Sequence, residues 1–187
     1  MQAQHDPDDL PPTLTDDSQD PQEAEWNRFI VRLNNARQQG GEQEAQGTLL
    51  GAARFGREGN AGRAKMETLN RLIVGGIPNR LRHPIWMELS NTYAIMSPDE
   101  YRHYLAEGER EDPLEIDAIL KDVPRTLTEQ FDYYVDRGHD KLKRLLIAFI
   151  AKYKGLGYTQ GLNMIAGHLL LAIPAEDDAF WVLCNMV

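Results

Sequence analysis

Cysteine is almost absent from this 187-residue chain. Cys184 is the only one, so no internal disulfide can form, and a reducing compartment fits the composition. Long apolar runs are also missing. The longest, Met164 to Ile173, is interrupted by His168 and reaches about half of the ~20 residues that a membrane-spanning helix needs. The five histidines (5, 83, 103, 139 and 168) are scattered without the spacing of metal ligands, which argues against a zinc site. There is no basic excess either. The formal net charge is −9, and no basic stripe offers an electrostatic footprint for nucleic acid or anionic lipid. The chain contains no G-x-x-x-x-G-K-[ST] and no G-x-S-x-G. It therefore carries neither a phosphate-cradling loop of its own nor a serine nucleophile elbow. No stretch alternates with period two for long enough to make a strand. The expected fold class is all-α, in a soluble, cytoplasmic chain with no direct membrane insertion.

What is present is unevenly distributed. Residues 1–25 hold eight acids, no Lys or Arg, and four of the ten prolines. They read as a disordered acidic tail. Trp26, Phe29, Ile30 and Leu33 then fall at i, i+3, i+4 and i+7, one face of a short helix. Residues 40–62 hold seven of the fifteen glycines and read as a flexible connector. The segment 26–68 is thus expected to be a helix plus a Gly-rich linker, with the main helical domain over 69–187.

Three helix starts share one pattern: Asp20-Pro21-Gln22-Glu23, Ser97-Pro98-Asp99-Glu100 and Asp112-Pro113-Leu114-Glu115. Each offers an N-cap oxygen, Pro at the first helical position and Glu at N3 to close a capping box. Leu142, Leu145, Leu146, Phe149, Ile150 and Tyr153 define a further helix, ended by Gly155 and Gly157. The next, about residues 160–173, is apolar on most sides and is expected to be the central buried helix. Pro174 stops it, and Glu176-Asp177-Asp178 open another. An apolar ending at Val187 reads as a helix short of packing partners, so the domain is expected to be incomplete at its C-terminus.

Three turns carry residues suited to chemistry. In Gly76-Ile77-Pro78 … Arg82-His83-Pro84-Ile85-Trp86, Pro84 predicts a kink or a fresh helix start, Trp86 reads as core and Arg82 as a surface charge. Pro124 places Arg125 after a helix end, on a turn. There the side chain is either a solvated charge or a group that reaches a partner's anion. In Gly155-Leu156-Gly157-Tyr158-Thr159-Gln160-Gly161, Thr159 can cap the next helix and Gln160 is expected in its first turn. The amide of Gln160 offers both a donor and an acceptor.

In order along the chain, R-x-x-x-W (Arg82, Trp86), I-x-x-D-x-x-R (Ile119, Asp122, Arg125) and Y-x-Q (Tyr158, Gln160) resemble the three signature motifs of the TBC domain, a family of GTPase-activating proteins for Rab GTPases. The flanks Gly76-Ile77-Pro78, Arg125-Thr126, Gly157 to Asn163 and Asp178-Ala179-Phe180-Trp181 also match. The resemblance covers roughly residues 69–187, the N-terminal part of such a domain. It implies an all-α fold and two residues inserted in trans into the partner's nucleotide site, Arg125 as arginine finger and Gln160 as glutamine finger. Arg82 and Asp122 are expected to support them, through an ion pair with each other, while Trp86 and Tyr158 pack. The implied partner is a GTP-loaded Rab that brings its own GTP and Mg²⁺, so this chain needs no cofactor. A role in vesicle trafficking follows, with the chain peripheral to endomembranes through the Rab. The alternatives are a non-catalytic Rab-binding scaffold and a truncated, inactive fragment.

Overall fold

The structure is a computed structural model and describes residues 21–39, 48–108 and 110–187. Among these residues every regular element is helical. They divide into two compact units, residues 21–93 and 94–187. None of the helices is long and apolar enough to cross a membrane.

In the first unit, α1 (Pro21–Gln39) buries Glu23, Trp26, Phe29 and Leu33, one face at three- and four-residue spacing. The fully buried Trp26 donates its indole N–H to the Gly76 carbonyl at 2.8 Å. Gln22 Nε2 donates to the Leu72 and Gly76 carbonyls, each at 3.0 Å. Side chains of α1 thereby satisfy carbonyls that the end of α2 (Gly59–Gly75) leaves without helical partners. The core adds Leu50, Phe55, Leu69, Leu72, Leu81 and Ile85.

This unit corrects three expectations. Residues 21–25, assigned to the acidic tail, form the first turn of α1, where Glu23 is buried and ion-paired with Arg80. The Asp20-Pro21 start signal outweighs the local acidity; residues 1–20 lie outside the described residues. The Gly-rich linker contributes to the core. Residues 40–47 are not described, but a 3-10 turn (Ala52–Arg57) presents buried Phe55, and Leu50 is fully buried just before it. Glu88 fixes this turn by accepting from the backbone N–H groups of Leu50 (2.7 Å) and Ala52 (2.9 Å). A Cβ on Gly62 would overlap the Phe55 carbonyl oxygen, so that glycine permits close packing rather than flexibility. Helix α2 runs through the expected 68/69 boundary. Finally, α3 (Asn79–Leu89) continues through Pro84 without a break. Leu81 and Ile85, on either side of the proline, are buried in the same core, and that burial offsets one lost backbone hydrogen bond.

A single turn, α4 (Thr92–Ile95), runs across the 93/94 boundary, and the second unit contains α5 (Pro98–Gly108), α6 (Pro113–Asp122), α7 (His139–Lys152), α8 (Leu162–Ala172) and α9 (Glu176–Asn185). The central helix is α7, not α8. Helices α5, α6, α8 and α9 all pack on it, and eight of its residues from Leu142 to Ala151 are buried. Small side chains let neighbours approach: a Cβ on Gly108 would come within 2.5 Å of the Ile147 carbonyl oxygen. By contrast α8, despite its apolar composition, leaves Met164 and Ile165 exposed. Arg144 of α7 grips Glu176 of α9 with two nitrogens, Nε at 2.9 Å and Nη2 at 2.6 Å. The Tyr101 hydroxyl donates to the same carboxylate.

Trp26→Ala is expected to cost about 3–5 kcal/mol, the usual range for truncating a buried large aromatic. The exposed Leu114→Ala should change stability by less than about 0.5 kcal/mol. Urea unfolding of the two variants beside the parent chain measures both.

Candidate functional site

The second unit brings the turn after α6 against the turn before α8. Ile119 is fully buried and anchors α6, and a short 3-10 turn, Val123–Arg125, follows at Pro124. Arg125 leaves this turn with a side chain 73% exposed. It is nonetheless oriented: Nε donates to the Lys121 carbonyl at 3.0 Å and Nη2 to Asp122 Oδ1 at 2.8 Å. The other oxygen of Asp122 accepts from the Tyr158 hydroxyl at 2.9 Å. Burial, and then the bond to Asp122, raises the Tyr158 phenol above its ordinary pKa, so it stays a donor throughout the physiological range.

A second chain of bonds runs alongside. The Thr126 hydroxyl donates to the Asp122 carbonyl at 2.8 Å. Asn163 Nδ2 donates to Thr126 Oγ1 at 2.8 Å, and Asn163 Oδ1 accepts from the Gly161 N–H at 3.1 Å. Thr126 and Asn163 are both buried, where an unmade bond is costly. Gln160 stands between Tyr158 and Gly161, exposed, in the turn ahead of α8 and not in the helix's first turn. Gly161, at φ +102°, occupies the N-cap position and allows the abrupt change of direction. Asn163, not Thr159, does the local capping.

The structure thus brings Asp122, Arg125, Tyr158 and the Gln160 turn together. Arg82 and Trp86 belong to the other unit. Arg82 Nε donates to the Ile77 carbonyl at 2.9 Å, shaping the turn that opens α3, and Trp86 is half-buried against that unit's core. Arg82 and Asp122 belong to different units, and within its own unit Asp122 pairs with Arg125. Thr126 and Asn163 entered the sequence reading only as flanks of the motifs, with no role assigned to either. Among the described residues no group of three or more His, Cys, Asp or Glu side chains is placed to hold a metal ion. A groove of about 530 Å³ lies between α1 and α2. One of its cations, Arg71, is already paired with Glu25 at 2.9 Å.

An exposed arginine and an exposed glutamine thus stand on two turns of a helical unit that are cross-linked by polar bonds. The comparisons with known proteins give its kind. Residues 79–187 match the family model of the Rab-GTPase-TBC domain, and the chain belongs to that family. It is 28% identical over 175 residues to TBC domain-containing protein C4G8.04 of Schizosaccharomyces pombe, covering 93% of this chain and 22% of that protein. It is 35% identical over 127 residues to human growth hormone-regulated TBC protein 1, covering 66% of this chain and 38% of that protein. The chain therefore spans well under half the length of these relatives. The fold is similar to the crystal structure of the Chlamydomonas flagellar RabGAP TBC domain, with a TM-score of 0.55 and 22% identity, over 98% of this chain and 58% of that one.

Thr126→Val removes a hydroxyl that both accepts from Asn163 and donates to Asp122, and should destabilise the chain by about 1–3 kcal/mol in urea unfolding. Burial pushes the Cys184 thiol up to about 12. At pH 8 it should react with a thiol reagent far more slowly in the folded chain than in denaturant, followed by absorbance of the released thiolate.

Proposed function

We propose that this chain accelerates GTP hydrolysis by a GTP-loaded Rab-family GTPase, with Arg125 and Gln160 supplied in trans. The observation that carries this reading is the exposure of both side chains on turns joined through Asp122 and Tyr158. Arg125 commits Nε and one bond of Nη2 internally, which leaves Nη1 and the remaining N–H free to donate outward. A planar, permanently charged guanidinium suits phosphate oxygens. Charge builds on those oxygens during phosphoryl transfer, so a donor aimed there lowers the barrier. Gln160 accepts from the attacking water and donates toward phosphate, which orients the nucleophile. GTP and Mg²⁺ are the partner's. Exposed Leu156, Met164 and Ile165 flank Gln160 in sequence and offer apolar area for a protein partner. By this reading the chain regulates vesicle trafficking from the cytoplasm, reaching endomembranes through the Rab.

Single-turnover GTP hydrolysis on a panel of Rab GTPases tests the proposal. The parent chain should accelerate hydrolysis at substoichiometric amounts. Arg125→Ala and Arg125→Lys should each lose about 10³-fold or more of the acceleration, in line with other arginine fingers, and Gln160→Ala should lose most of it. Binding of GTP-loaded Rab without acceleration, indifferent to Arg125, would make the chain a scaffold instead.

A further inference from the structure

Glu115 stands at the third position of α6, where the sequence assigns its carboxylate to a capping box with Asp112. The structure uses the two residues differently. Asp112 Oδ1 accepts from the Leu114 N–H at 2.9 Å, while the Glu115 carboxylate reaches across to the turn before α8. There Oε2 accepts from the backbone N–H of Tyr158 at 3.3 Å. The same carboxylate fills the space beside Gly157, where a Cβ would overlap Oε1. Gly157 itself adopts φ +67°, so both its backbone and its surroundings call for glycine. Three residues after Gly157 comes Gln160.

We propose that Glu115 is a positioning residue for Gln160. Its carboxylate clasps the Gly157–Tyr158 backbone and couples the helix that leads to Arg125 with the turn that carries the glutamine. The inference rests on the GTPase-activating reading above. Tyr158 is held at both ends, its N–H by Glu115 at the start of α6 and its hydroxyl by Asp122 at the end. A residue whose backbone and side chain are fixed at two points along one helix has the direction of its backbone fixed, and hence where the amide of Gln160 stands. The position of Glu115 at the positive end of α6 also favours its charge there. Reach, not charge alone, is what the geometry demands. Gln in its place keeps a carbonyl oxygen at the same distance, whereas Asp is one methylene short.

The test uses Glu115→Ala, Glu115→Asp and Glu115→Gln, with Arg125→Ala and Gln160→Ala in parallel. In the isolated chain, amide exchange by NMR should speed up at Tyr158 in the Ala and Asp variants and stay near the parent rate in the Gln variant. With a responsive Rab, Ala and Asp should lower the saturating rate about tenfold, the scale expected for a misplaced catalytic group, with the half-saturating concentration nearly unchanged and the Gln variant rescued. In a Gln160→Ala background, Glu115→Ala should add less than about twofold, because the two act through one group. If Glu115→Ala fails to melt cooperatively, the Asp and Gln variants decide by the same readouts. Unchanged Tyr158 exchange and rate in the Ala and Asp variants would overturn the proposal, as would an equal loss in both backgrounds. If the parent chain accelerates no Rab, or Arg125→Ala and Gln160→Ala leave its acceleration unchanged, the GTPase-activating reading fails. Glu115-dependent Tyr158 exchange would then show that the clasp exists without that role.

Discussion

The Asp122 carboxylate has two oxygens and gives one to each turn of the site. Oδ1 accepts from Arg125, Oδ2 from Tyr158. A carboxylate at the end of a helix meets the negative end of the helix dipole, so these two donors also offset an unfavourable placement. The ion pair with a guanidinium this exposed contributes little to stability. What it contributes is direction: a long, rotamer-rich side chain is restrained while most of it remains in solvent. The neighbouring Thr126–Asn163 bond is buried and, with the partly buried Asn163–Gly161 bond, supplies the rigidity that the surface pair lacks.

That division of labour depends on α7. Four helices pack around it, and its buried leucines, isoleucines and Phe149 hold α6 and α8 at fixed positions, so that their terminal turns meet. Stability comes from this apolar burial, and orientation from the polar bonds at the helix ends. Helix α8, relieved of the central position, turns Met164 and Ile165 outward beside the glutamine turn. In the 21–93 unit the same economy recurs. Trp26 and Gln22 use their polar atoms to finish α2, and Glu88 finishes the 3-10 turn at Ala52, while the apolar parts make the core.

The helices were largely legible. Cap signals at Asp20-Pro21, Ser97-Pro98 and Asp112-Pro113 and apolar spacing over 142–153 are local properties, and α1, α5, α6 and α7 begin and run where those signals place them. Arg125 stood out because an arginine after Pro124 lies on a turn whatever the tertiary structure, whereas Gln160, expected in the first turn of α8, stands ahead of that helix. The Gly-rich stretch misled because composition does not distinguish glycine for freedom from glycine for contact, and Gly62 against Phe55 is the second kind. At Pro84 no fresh helix starts, because the local cost of a proline is opposed by burial that only the folded unit reveals.

By itself, then, the sequence determined an all-α chain, the register of its main helices, and the order of three motifs along them. Tertiary structure alone decided that α7 is central, that Asp122 joins Arg125 to Tyr158, and that Glu115 serves Tyr158 rather than its own helix cap. The reason is range. Helical periodicity and capping act within four residues, whereas the bonds that build the site join positions 36, 37 and 43 residues apart.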